Sequence, residues 1–152
     1  MKRGINIILI IFILLTIVSS ASVLGQGISE SSIKLNWQNN PKLKNEGFYK
    51  FTKEEVFGGE YYKVETKLAL VFDKKSQYYT LIYLNGYGSN LWKSGDIHAV
   101  LKPTLNENKY NVDYTKHNKS VNYNWFCEVV GTEIKMYDEN RNYLFSYYRT
   151  DF

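Results

Sequence analysis

The stretch Tyr62-Lys63-Val64-Glu65-Thr66-Lys67-Leu68-Ala69-Leu70-Val71-Phe72 decides the fold. Its even positions are all apolar or Thr. The odd positions start as Tyr61, Lys63, Glu65 and Lys67, then turn apolar at Ala69 and Val71. A period of two sends alternate side chains to opposite faces of an extended strand, so the even residues face a core. The change at Ala69 and Val71 predicts that the wet face becomes covered toward the strand's end.

Alternation continues on both sides of this strand. Ile33, Leu35 and Trp37 alternate with Lys34 and Asn36, which reads as a short strand. Asp73 to Ser76 is a polar turn, and Gln77 to Leu84 is a Tyr-rich strand apolar on both faces. Asn85-Gly86 and Gly88-Ser89-Asn90 then break the chain. Ile97, Ala99 and Leu101 alternate with His98 and Lys102 up to Pro103, and Tyr110, Val112 and Tyr114 alternate with Asn111 and Asp113. A polar loop spans Thr115 to Ser120. Val121, Tyr123, Trp125, Cys127 and Val129 share one face, continued by Ile134 and Met136. A hairpin loop at Val130-Gly131 would pair Cys127 with Ile134 and Trp125 with Met136. The last strand, Tyr143 to Arg149, follows a turn at Asp138 to Asn142. Thr52-Lys53-Glu54-Glu55 reads either as a capping box opening a helix or as a strand turning at Gly58-Gly59. About eight or nine strands joined by short polar turns predict an all-β fold, either an antiparallel sandwich or an up-and-down (lipocalin-like) barrel.

A length of 152 residues with 44% hydrophobic content fits one domain with a real core. The 16% aromatic content excludes disorder, and a lone Cys excludes a disulfide-stapled miniprotein. Scarce Gly and Pro and the lack of a heptad exclude collagen-like and coiled-coil chains.

Residues 1–25 read as a secretory signal peptide: Lys2 and Arg3, an apolar run from Ile5 to Val18, then Ser19, Ser20, Ala21 and Ser22. Cleavage is expected after Ala21 or Gly25, leaving a loose leader over 26–32 and one β-domain over 33–152. The predicted location is exported: secreted, periplasmic or at the cell surface. The alternative is an uncleaved membrane anchor, disfavoured because the run is shorter than a bilayer requires. Without Lys2 and Arg3 the formal charge falls from +4 to +2, and the remaining charges are interspersed. Nucleic acid is therefore not an expected partner.

The residues that carry chemistry are few. Cys127 is a candidate nucleophile only if a His lies beside it; alternation instead puts His98 on the opposite face of a sheet, and His117 is the only other His. Asp96 and His98 share a strand face with metal-ligand spacing but have no third partner nearby in sequence. The Val130-Gly131 hairpin would set Glu128 opposite Glu133, a carboxylate pair of the kind glycoside hydrolases use within a cleft. Asp138 to Asn142 resembles a calcium loop but lacks its alternating ligands and closing Glu. Asn118-Lys119-Ser120 is a glycosylation sequon, relevant only in a host that glycosylates exported Asn. No catalytic residue, metal ligand set or cofactor motif is assigned.

The aromatic surplus is the remaining signal. Tyr78, Tyr83, Trp92, Tyr143 and Tyr147 are the candidate ligand-binding residues, since Tyr and Trp combine apolar area with a polar tip. Trp92-Lys93-Ser94-Gly95-Asp96-Ile97-His98-Ala99-Val100-Leu101-Lys102-Pro103-Thr104 resembles a segment of small exported bacterial β-proteins of no assigned activity. That resemblance implies export and an all-β fold and supplies no catalytic residue. The favoured expectation is a non-enzymatic domain binding a small molecule or glycan through an aromatic-lined cavity or face. The alternatives are a small hydrolase or thiol enzyme using Cys127 or a carboxylate pair, and a structural surface protein binding another exported protein.

Overall fold

The computed structural model describes residues 28–57, 60–86, 91–115 and 122–151. The expected signal peptide, His117 and the Asn118 sequon lie outside the described residues. One helix, α1 (Glu30–Asn39), precedes eight strands: β1 (Gly47–Phe57), β2 (Glu60–Asp73), β3 (Tyr78–Gly86), β4 (Ile97–Pro103), β5 (Lys109–Thr115), β6 (Asn122–Val130), β7 (Glu133–Tyr137) and β8 (Tyr143–Arg149). Each strand pairs with the next, and β8 returns to β1, so the sheet closes into a barrel. Of the two architectures the alternation allowed, the up-and-down barrel is the one adopted. Thr52 to Glu55 lie within β1, which resolves that segment as a strand.

The even face of β2 points inward: Leu68 and Leu70 are fully buried with Leu81, Leu101, Val112, Ile134 and Met136. Outward positions carry Lys50, Lys102, Asp113 and Lys135, partly in ion pairs such as Lys102 with Asp113 at 2.6 Å. An apolar interior and a charged exterior invert the pattern of a membrane-spanning barrel.

The strand expected at Ile33, Leu35 and Trp37 is α1 instead. A spacing of four places Ile33 and Trp37 on one helical face, so their pattern satisfies both periods. The N-terminus decides the outcome. Ser29 Oγ accepts from Ser32 N at 3.2 Å, and Ser32 Oγ accepts from Ser29 N at 3.0 Å, a reciprocal capping box. Leu35, between the two, is 59% exposed. Residues 28–32, expected to be loose, supply this cap and the first turn, while Ile28 packs beside Ile33, Phe48, Ala69 and Leu84. α1 is thus the cover that the apolar change at Ala69 and Val71 required.

The β6–β7 register also differs from expectation. Cys127 pairs with Met136 and Val129 with Ile134, so the loop is Gly131-Thr132. Gly131 has φ +59°, and a two-residue loop starting with a left-handed residue takes Gly there far more readily than the β-branched Val130. The shift dissolves the expected carboxylate pair: Glu128 faces Lys135 and Glu133 faces Val130.

Glu46 ties the layers together from a buried position. Its Oε1 accepts from Phe72 N at 2.8 Å and Trp37 Nε1 at 3.4 Å, and its Oε2 accepts from Leu43 N at 2.8 Å. One carboxylate therefore holds β2, α1 and the connecting loop. Removing it strands three donors, so Glu46→Ala is expected to cost roughly 2–4 kcal/mol, and Glu46→Gln less. The urea midpoint of unfolding measures both.

Candidate functional site

The barrel interior divides into two halves. Near Asn45 and Gly131 it is closed by packed tyrosines. Tyr49 Oη donates to the Asn45 carbonyl at 2.9 Å, Asn45 Nδ2 donates to Tyr110 Oη at 3.0 Å, and Tyr110 meets Tyr79 edge-on at 5.8 Å. Burial pushes the hydroxyls of Tyr49 and Tyr79 up to about 12. At the opposite end, Phe51, Tyr114, Trp125 and Phe145 also face the interior but are only half-buried. Their rings form one continuous wall. Trp125 stacks on Tyr114 at 4.2 Å and on Tyr123 at 5.2 Å, while Phe145 lies 5.1 Å from Phe51 and 6.1 Å from Trp125. A barrel of eight strands is wide enough either to be filled by side chains or to hold one small ligand. Here packed tyrosines fill the first half, with Phe72 partly buried against Tyr79 at 5.0 Å, and the second gathers several partly buried rings.

His98 stands behind that wall. Alternation assigned it to the outer face, opposite Ala99. Between β3 and β4 the register runs Leu81 to Ala99 and then Ile82 to Ile97, leaving His98 as one extra residue on β4. Such a bulge re-aims a side chain, and the result is an inward His98 that is 9% exposed beside an outward Ile97. Its ring lies 4.9 Å from Trp92, 5.0 Å from Tyr114 and 6.4 Å from Tyr147. Its Nδ1 is buried with no hydrogen-bond partner. Tyr147 is engaged with Tyr114 hydroxyl to hydroxyl, and burial drives its pKa well above the ordinary tyrosine range. An unmade hydrogen bond in such surroundings costs about 1–3 kcal/mol. Burial also holds the imidazole pKa down at about 4, so the ring is neutral at physiological pH.

The sequence-derived binding residues separate into two groups. Tyr83, Trp92 and Tyr147 come together with His98: Tyr83 stacks on Trp92 at 6.2 Å, and its hydroxyl donates to the Gly86 carbonyl at 2.9 Å. Tyr78 does not join them. It begins β3 opposite Asp73, at the closed end. Tyr143 is 57% exposed at the start of β8, edge-on to Tyr137 at 6.0 Å and bonded to Ser146. Sequence reasoning missed His98, Phe51, Tyr114, Trp125 and Phe145 as site residues. Ring-bearing strand positions were visible, but which ring lies at which end depends on stagger between strands.

The other candidates resolve plainly. Cys127 is buried in the core, and desolvation raises its thiol pKa, the opposite of nucleophile activation. Asp96 lies outside β4, where its carboxylate accepts from Lys93 N at 2.8 Å, so it shares no face with the inward His98. No group of three His, Cys, Asp or Glu suited to a metal occurs among the described residues. Asp138 closes a hairpin by accepting from the backbone of Asn140 and Asn142. A separate open groove of about 490 Å³ runs between α1 and the barrel wall, with Lys34 and Lys67 paired to Glu30, and Lys42 to Asp151.

No family model matches this chain, and no curated protein or solved structure is significantly similar to it. The site is therefore read from its own geometry.

Two measurements check that geometry. The folded pKa of His98 lies below its unfolded value, so the unfolded chain binds the extra proton. His98's contribution is fully present above about pH 6.5 and lost as pH falls toward about 4, by roughly 3 kcal/mol over that window. Denaturation between pH 4.5 and 7 should show the slope, and His98→Phe should flatten it. Cys127 should resist iodoacetamide in native protein and react only at the rate of unfolding.

Proposed function

We propose that this chain is an exported, non-enzymatic β-barrel that binds a small ligand at its aromatic-lined end. One observation carries the reading: Phe51, Tyr114, Trp125 and Phe145 face inward as a continuous set of rings yet are only partly buried, whereas at the other end Tyr49, Tyr79 and Tyr110 are buried and Phe72 is the partly buried ring among the described residues. Apolar walls with few convergent polar groups are the usual composition of small-molecule sites. The Lys2-Arg3 start, the apolar run and the small residues at 19–22 support export. Burial of Cys127 weighs against a thiol enzyme, and the placement of Glu128 and Glu133 on the outer face, paired with Lys109 and Lys135, weighs against a two-carboxylate site in a cleft.

Native and denaturing mass spectra of protein purified from its own host test the reading. The denatured mass should place the N-terminus after Ala21 or Gly25. The native spectrum should carry a defined extra mass that is lost on denaturation. Trp125→Ala should weaken retention of that mass about five- to thirtyfold, because a stacking face worth about 1–2 kcal/mol is removed. A bare monomer, unchanged by Trp125→Ala, would overturn the ligand-binding reading.

A further inference from the structure

We infer that the ligand is a small planar apolar molecule bearing one hydrogen-bond donor, an N–H or O–H, which His98 Nδ1 accepts; the inference rests on the binding reading above. Four observations converge on it. The bulge in β4 spends an extra residue to turn His98 inward, where simple alternation would leave it in water. Three aromatic rings enclose the imidazole, at 4.9, 5.0 and 6.4 Å. The nearby hydroxyls of Tyr114 and Tyr147 are engaged with each other, and Nδ1 has no partner. Beyond Tyr114, the half-buried faces of Trp125 and Phe145 continue the wall toward the barrel end.

Each feature selects part of the ligand. Flat rings stacked or edge-on to one another accept a planar apolar body, since aromatic pairs favour those two arrangements. With the ring proton on Nε2, the tautomer this inference requires, neutral His98 presents a lone pair at Nδ1 that accepts one hydrogen bond and offers no charge to an anion. A site with a single buried polar group discriminates sharply against an analogue that leaves it unpaired.

Indole and 1-methylindole are the probes, because they share the planar body and differ in the N–H donor. Isothermal titration with the mature protein should show indole binding at least about tenfold tighter than 1-methylindole. In His98→Phe, which keeps a ring and removes the acceptor, the two affinities should become equal. If 1-methylindole binds native protein as tightly as indole, or if the preference survives in His98→Phe, the donor inference is overturned while the binding site stands. If neither probe binds, the inference is overturned, and the native mass spectrum of host-purified protein decides the binding reading separately. A second readout does not depend on the variant folding. In ¹⁵N spectra of native protein, indole should move the His98 Nδ1 resonance and 1-methylindole should not; no movement with bound indole overturns the inference.

Discussion

Closure of the barrel depends on the seam between β1 and β8, where, among the described residues, Tyr49 with Arg149 and Lys50 with Tyr148 are in register. So short a ladder would leave two open edges, and unpaired edges invite association with other chains. The C-terminal residues extend it. Thr150 N donates to the Phe48 carbonyl at 2.8 Å, and Phe48 N donates to Asp151 Oδ1 at 2.9 Å. The Arg149 guanidinium donates to the carbonyls of Lys44 at 2.9 Å and Glu46 at 2.7 Å, and to Asp151 Oδ1 at 3.1 Å. Burial alone would raise the Asp151 pKa, but Lys42, the Phe48 N–H and Arg149 together hold it below the usual range. Gly47 is part of the same joint: a Cβ there would lie 2.6 Å from Asp151 Oδ1 and 2.7 Å from Arg149 Nε.

With the seam closed, the interior has one fixed diameter, and its two halves are filled differently. The half near Asn45 takes Tyr49, Tyr79 and Tyr110, whose hydroxyls or edges find partners inside. The other half holds the partly buried rings of Phe51, Trp125 and Phe145, a Tyr114–Tyr147 pair bonded hydroxyl to hydroxyl, and one imidazole whose Nδ1 is unpaired. A buried polar atom without a partner is a local conflict in an otherwise consistent core, and such conflicts concentrate where function is carried. α1 plays a different part. It seals the outer face at Ala69 and Leu84 through Ile33, and Lys34 and Lys67 flank the Phe48 ring at 5.5 Å each.

Whereas β1 stayed open between helix and strand, the strands from β2 onward, the inward face of β2 and the need for a cover at Ala69 were legible because each is a property of side-chain period along one segment. Three features were not. α1 escaped because Ile33 and Trp37 fit either period, and a Ser-Ser capping box settled it locally. The β6–β7 register slipped by two residues because both registers keep apolar residues on the inner face, so only the backbone demand at Gly131 separates them. The inward turn of His98 escaped because a bulge breaks alternation without any marker in the segment itself.

The candidate site was legible only in part. Tyr83, Trp92 and Tyr147 could be singled out as rings on strands, and they do meet at His98. Tyr78 and Tyr143 looked equivalent in sequence and lie elsewhere. Side-chain alternation was enough to specify an all-β chain with alternating faces, a core of aromatics and aliphatics, and a lone Cys suited to burial. Tertiary structure alone decided closure into a barrel, the staggering that gathers particular rings at one end, and the burial of an unpaired imidazole among them. Periodicity is local to a strand, whereas stagger and closure are set by hydrogen bonds between strands far apart in the chain.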